Sequence, residues 1–165
     1  MKKINLIIAL ALIILSSCKK NLPDVGGTSA KGMANEWWVT LVLNGADLIG
    51  THVKLATYNT SSNGNELWVD DLKNGYGFKV KANADFKNLT FTVTDSNNEY
   101  YDPAHPANFP KTVTLSNSKI LLGVGRSKSG NVVDSIYMEA KFSDDPADTF
   151  IISGHARTRF VEDEY

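Results

Sequence analysis

Apolar and polar residues alternate with a period of two along most of the chain beyond residue 36. Trp37, Val39, Leu41 and Leu43 interleave with Trp38, Thr40 and Val42, and Val53, Leu55 and Thr57 with Lys54, Ala56 and Tyr58. The same pattern recurs at Phe78, Val80 and Ala82, at Leu89, Phe91 and Val93, and at Ile136, Met138, Ala140 and Phe142. Successive side chains of a strand point to opposite faces, so each run predicts a strand with one buried and one wet face. The last strand is expected over Phe150 to Phe160, with Ile152, Gly154, Ala156, Thr158 and Phe160 inside. Its other face would carry Ser153, His155, Arg157 and Arg159. Trp37 and Trp38, being adjacent, must face opposite ways. Trp37 shares the continuous apolar set and is assigned to the core, leaving Trp38 outside or covering a neighbouring element.

Turn residues punctuate these runs: Asn44-Gly45, Asn63-Gly64, Asn74-Gly75, Ser129-Gly130-Asn131 and Asp144-Asp145-Pro146. Their side chains or missing Cβ tolerate the backbone angles that tight turns require. No segment after Cys18 carries apolar residues at helical spacing. The prediction is an all-β domain, a single antiparallel up-and-down barrel of about eight strands, with a β-sandwich as the alternative. The small residues Gly154 and Ala156 on the buried face of the last strand suit a tightly curved closing strand, or one leaving room for a ligand.

The N-terminus breaks the pattern. Lys2 and Lys3 precede a run, Ile4 to Leu15, that is apolar apart from Asn5. A membrane-spanning helix needs roughly 20 apolar residues, so this run is too short and reads as a secretory signal. It ends in Leu15-Ser16-Ser17-Cys18, which has the form of a bacterial lipobox: a branched apolar residue, two small residues, then the cysteine to be acylated. Cys18 is the chain's single cysteine and closes no disulfide within it, so lipidation is its expected role. Residues 1–17 are therefore expected to be a signal peptide, 18–35 a flexible tether rich in Gly, Ser, Lys and Asn, and 36–165 the barrel domain. The protein would be exported and held at the cell envelope, at the outer membrane, by acylated Cys18.

Charge excludes one class of partner. The chain has 17 Lys+Arg and 18 Asp+Glu; without Lys2 and Lys3 the balance is 15 against 18, a net of −3. Nucleic-acid binding rests on neutralising phosphates, and this composition offers no basic footprint for it.

Several short motifs, taken in order, resemble a known family. Glu36-Trp37-Trp38-Val39 opens the domain, Thr57-Tyr58-Asn59-Thr60-Ser61 and Leu67-Trp68-Val69-Asp70-Asp71 follow, and Phe78-Lys79-Val80-Lys81 comes next. Ser153-Gly154-His155-Ala156-Arg157-Thr158-Arg159-Phe160 closes the series. Together, behind a lipobox, they resemble a bacterial lipoprotein family described as lipid-binding putative hydrolases. The resemblance implies a calycin-like, lipocalin-type barrel whose interior holds an apolar ligand. It carries no catalytic set that maps onto this chain.

The chemistry is sparse. The Gly-x-Ser-x-Gly pattern of a serine hydrolase is absent, since Gly125-Arg126-Ser127-Lys128-Ser129-Gly130 has the wrong spacing. That segment lacks the Gly-Lys-Ser/Thr of a phosphate loop, and no cofactor is implied. Acidic pairs at Asp70-Asp71 and Asp144-Asp145 lack the spacing of a calcium loop, and His52, His105 and His155 make no zinc signature. Candidate ligand-lining residues are Tyr58, Trp68, Phe78, Phe91, Met138 and His105, the last at the centre of a long, proline-stiffened loop from Tyr100 to Pro110. His155, Arg157 and Arg159 are candidate contacts for a polar headgroup, because guanidinium forks match carboxylates and phosphates.

Three functions follow from these readings. The first is a membrane-anchored protein binding a lipid or other small apolar ligand, which a contiguous apolar cavity would support. The second is an envelope hydrolase, which calls for a histidine within hydrogen-bonding reach of a serine or carboxylate in a cleft. The third is a scaffold lipoprotein in a glycan-handling envelope complex, which a packed interior with an exposed apolar patch would favour.

Overall fold

The computed structural model describes residues 27–165, so Cys18 and the expected signal peptide lie outside the described residues. Nine antiparallel strands form one sheet: β1 (Asn35–Leu43), β2 (Ala46–Asp47), β3 (Val53–Asn59), β4 (Glu66–Asp70), β5 (Lys79–Asp85), β6 (Thr90–Asn97), β7 (Thr112–Arg126), β8 (Val132–Phe142) and β9 (Asp145–Ala156). Neighbours in sequence pair in order from β3 to β9, and β1 pairs with both β3 and β9. Eight strands thus close on themselves, and β2 is a short extension hydrogen-bonded to the end of β1. The expected up-and-down barrel is what forms; no α-helix occurs among the described residues.

Closure explains the small residues of the last strand. Gly154 stands opposite Val39, and a Cβ there would lie 1.9 Å from the Trp38 carbonyl oxygen. Only a glycine lets β1 approach β9 so closely. The period-two sets face inward as expected: Trp37, Leu55, Val80, Phe91, Met138 and Ile152 all belong to one buried core. The final strand is shorter than predicted, ending at Ala156 rather than Phe160, and Arg157 to Tyr165 turn over the outer wall instead.

Each end is stoppered. At the end where β1 begins and β9 finishes, a 3-10 turn, Ser29–Gly32, inserts Ala30 and Met33 into the core. Trp37 Nε1 donates to Thr57 Oγ1 at 2.9 Å, and the Thr57 hydroxyl donates to the Met33 carbonyl. This relay satisfies the buried indole N–H and ties the turn to two strands. Residues from 28 onward therefore belong to the packed unit, although composition alone placed them in a tether reaching residue 35. The opposite end, hereafter the loop end, is closed by the β4–β5 and β6–β7 connections.

Candidate functional site

The loop end holds a small, largely apolar void, with Asp71 among the residues that border it. It has room for about 10 Å³, and Val39, Leu55, Ile152, Gly75, Tyr76 and Phe78 border it. Tyr76 acts as its stopper: the ring stacks on Phe142 at a centroid distance of 3.7 Å and 7° between planes, and meets Phe150 edge-on at 5.1 Å. Burial, followed by nearby Asp144, pushes the Tyr76 phenol up to about 12.

The stopper is carried on a loop, residues 71–78, that hangs from one carboxylate. Asp71 is buried and accepts backbone N–H bonds from Lys73 (2.9 Å), Gly77 (2.6 Å) and Phe78 (2.9 Å). Burial raises its pKa, and those N–H groups partly oppose the rise. Leu72 and Lys73 sit at φ +56° and +61°, left-handed conformations that cost a side-chain-bearing residue about 1 kcal/mol or more each. Gly77 (φ +84°) lies directly under the Phe109 ring, where a Cβ would come within 2.1 Å of it. Asn98 locks the second loop onto the first: its side-chain NH2 donates to the carbonyls of Gly77 and Pro110, both at 2.9 Å.

The sequence-predicted residues divide into three places. Phe78, Phe91 and Met138 are fully buried in the interior and would line any space opened there. Tyr58 and Trp68 face outward, a correction to their assignment as lining: they are opposite one another in the β3–β4 pair and in phase with the wet sets, so period two sends both outside. On that wall the Tyr58 and Tyr100 hydroxyls both donate to Asp70, at 2.8 and 2.6 Å, and Lys79 lies over both the Tyr58 and Trp68 rings. His105 is exposed on the β6–β7 loop and does not line the void, with Nδ1 2.8 Å from Asp102 Oδ2.

The candidate headgroup row is also differently arranged. His155 is only 7 % exposed, because the C-terminal tail brings Tyr165 across it. Tyr165 stacks on His52 at 4.1 Å and meets Trp38 edge-on at 5.4 Å, so Trp38 is the outward tryptophan, covered by the tail. Burial lowers the pKa of both histidines, and for His155 the neighbouring His52 adds to the effect. Arg157 is engaged in the molecule itself, bonding Glu164 through Nε (2.7 Å) and Nη2 (2.8 Å) and Glu36 through Nη1 (2.7 Å). Arg159 is exposed, 3.5 Å from Glu36. No row open to a ligand results, because the chain leaves the strand after Ala156 and the alternation ends with it.

Asp102 and His105 are the only hydrogen-bonded His–carboxylate pair among the described residues, and both side chains are exposed. No serine or threonine hydroxyl shares that pair, so the geometry activates no nucleophile there. What the arrangement provides is an apolar interior behind a latched aromatic stopper. The signals that pointed to it were Asp71, Tyr76 and the glycines around them, which period-two reading passes over as turn residues.

A closed, up-and-down barrel of eight strands with a stoppered apolar core defines the class: a calycin-like β-barrel. A family model described as "lipid-binding putative hydrolase" matches residues 22–161, and the chain belongs to that family. No curated protein matches it.

Proposed function

We propose that the protein is an envelope lipoprotein, anchored through acylated Cys18, whose barrel receives a slender apolar ligand such as a lipid acyl chain at the loop end. The observation that carries this reading is the apolar void beneath Tyr76, closed by a loop held through one buried carboxylate and two left-handed residues. Family membership supports a lipid as the ligand class. The closed barrel is full; a ligand site normally occupies several hundred Å³, so binding requires Tyr76 and Phe78 to swing out. Phe91 and Met138 then become lining. The cost of that opening lowers the apparent affinity in proportion to the open fraction.

The test is native mass spectrometry of the protein purified from its host, combined with titration by a fluorescent fatty acid. A reproducible bound lipid, displaced by the probe, is expected. Absence of any co-purifying apolar molecule together with no saturable probe binding overturns the reading.

A second reading, a scaffold lipoprotein in a glycan-handling envelope complex, is favoured by one observation: the interior is packed while the β7–β8 hairpin exposes apolar side chains. Loss of a co-purifying envelope partner on replacing those side chains, with no ligand bound, would support it instead.

A further inference from the structure

β7 and β8 outrun the barrel. Pairing of β7 with β6 stops at Lys119, and pairing of β8 with β9 stops at Ser135. Leu121 to Asp134 therefore project past the rim as a two-stranded arm, supported mainly by each other. Such an arm would ordinarily be polar, because lone hairpins are marginal and apolar edges invite association. Here Leu122 is 61 % exposed, Val124 62 % and Val132 59 %. Beside the tip, the C-terminal turn adds Phe160 (59 %) and Val161 (87 %). It is fastened there by Ser129 N–H donating to Asp163 Oδ1 at 2.7 Å and Lys128 Nζ donating to the Glu164 carbonyl at 2.8 Å. Most of the large apolar side chains exposed on the described residues thus gather at one end of the molecule.

That end is also where the chain enters. The 3-10 turn Ser29–Gly32 stoppers the same end, and ten residues, Lys19 to Thr28, separate it from the expected lipidated cysteine. Fully extended, that segment reaches about 35 Å. An anchor at Cys18 would consequently keep this end of the barrel, rather than the loop end, within reach of the bilayer surface.

We propose that the β7–β8 arm, with Phe160 and Val161, is a membrane-docking surface that inserts Leu122, Val124 and Val132 into the lipid interface and sets the barrel upright on its anchoring bilayer. The charges around it argue for apolar rather than electrostatic attachment. Arg126, Lys128 and Arg159 are balanced by Asp134, Glu162 and Glu164, so no net basic surface exists to seek anionic lipid. Docking in this pose turns the Tyr76 stopper away from the anchoring membrane, so a ligand would be exchanged on the aqueous side. The proposal rests on the lipoprotein reading for its tether geometry.

The experiment uses the full chain, expressed with its own N-terminal segment and reconstituted into phosphatidylcholine vesicles. An environment-sensitive dye is attached at Val124→Cys, or at Leu48→Cys on the opposite end. Lipid-borne quenchers should suppress the Val124→Cys dye several-fold and leave the Leu48→Cys dye unaffected, and this contrast should persist in high salt. Adding Leu122→Ser and Val132→Ser should reduce the quenching about tenfold, as the loss of two partly buried aliphatic side chains implies. Equal quenching at both ends, or none at Val124→Cys, overturns the proposal. So does concentration-dependent self-association without vesicles that the two serine substitutions abolish, since the arm would then be a contact between copies. Metabolic labelling with radioactive palmitate, lost on Cys18→Ser, reports the anchor separately; if labelling fails while the Val124→Cys dye is quenched by added vesicles, the lipoprotein reading fails and the docking surface stands.

Discussion

Replacing Tyr76 by alanine should separate stability from ligand access. A fully buried aromatic truncated to alanine costs about 3–5 kcal/mol, and Tyr76 is half-buried, so roughly 2 kcal/mol is expected from lost packing. Its stacking on Phe142 and edge contact with Phe150 add about 0.5 kcal/mol or more. A loss of about 2.5 kcal/mol in a domain of this size lowers Tm by roughly 8–10 °C. Access should move the other way. If the ring is the stopper, removing about 2 kcal/mol of closing energy raises the open fraction, and a fluorescent fatty acid should bind about 30-fold more tightly. Thermal melts and probe titrations on the wild type and Tyr76→Ala supply both numbers. A variant with the expected drop in Tm and unchanged probe affinity would refute the stopper, leaving Tyr76 as core packing only.

Three further outcomes follow from the geometry. Gly154→Ala places a methyl 1.9 Å from the Trp38 carbonyl oxygen, forcing β1 off β9, and should cost about 3 kcal/mol or more; a Tm within about 2 °C of wild type would show that closure does not depend on this contact. Arg157→Lys cannot serve Glu164 and Glu36 together, and with both carboxylates partly exposed the loss in urea denaturation should be about 1 kcal/mol; the Arg157 hydrogen bond also holds Glu36 below the usual carboxylate range, so its contribution is present above about pH 4.5 and is lost on acidification below that value. The folded-state pKa values of His52 and His155 are depressed, so their neutral forms favour folding: the contribution is complete above their ordinary value of 6.5 and is lost as pH falls below it. Protection of the amides in residues 157–165, measured relative to their intrinsic exchange rates at each pH, should accordingly fall between pH 7.5 and pH 5.5, and unchanged protection would separate the tail from the histidine pair.

Legibility differed from strand to strand for identifiable reasons. β1, β3, β5 and β8 were readable because their alternation survives and each core set points inward. β6 was readable as far as Val93, beyond which a register shift with Asp95 at positive φ breaks its period. β7 escaped recognition although it is the longest strand. Register shifts between Ser116 and Lys119 and between Leu121 and Gly125, with Asn117 and Gly123 at positive φ, reset the alternation twice. The same irregularity hides the arm, since Leu121, Leu122 and Val124 keep to no single period-two face. At the site, Phe78, Phe91 and Met138 were legible as interior by phase alone, whereas the stopper was not, because a side chain in a turn has no period to betray its direction.

The sequence by itself determined what depends on local order: strands from the period of two, turns from Asn-Gly and Asp-Pro, inward and outward faces, the form of the N-terminal segment, and a barrel preferred over a sandwich. Tertiary structure decided what depends on distant segments meeting. It brought Met33 to Thr57 and Trp37, set Asp71 as the latch of the loop end, and spent Arg157 on Glu36 and Glu164. It also laid Tyr165 over His155 and left the β7–β8 arm without neighbours. Alternation reports which face a residue takes, because that is fixed by two adjacent peptide units. Whether the face is then covered, latched or left bare is settled by chain closure across more than a hundred residues, and no local pattern encodes it.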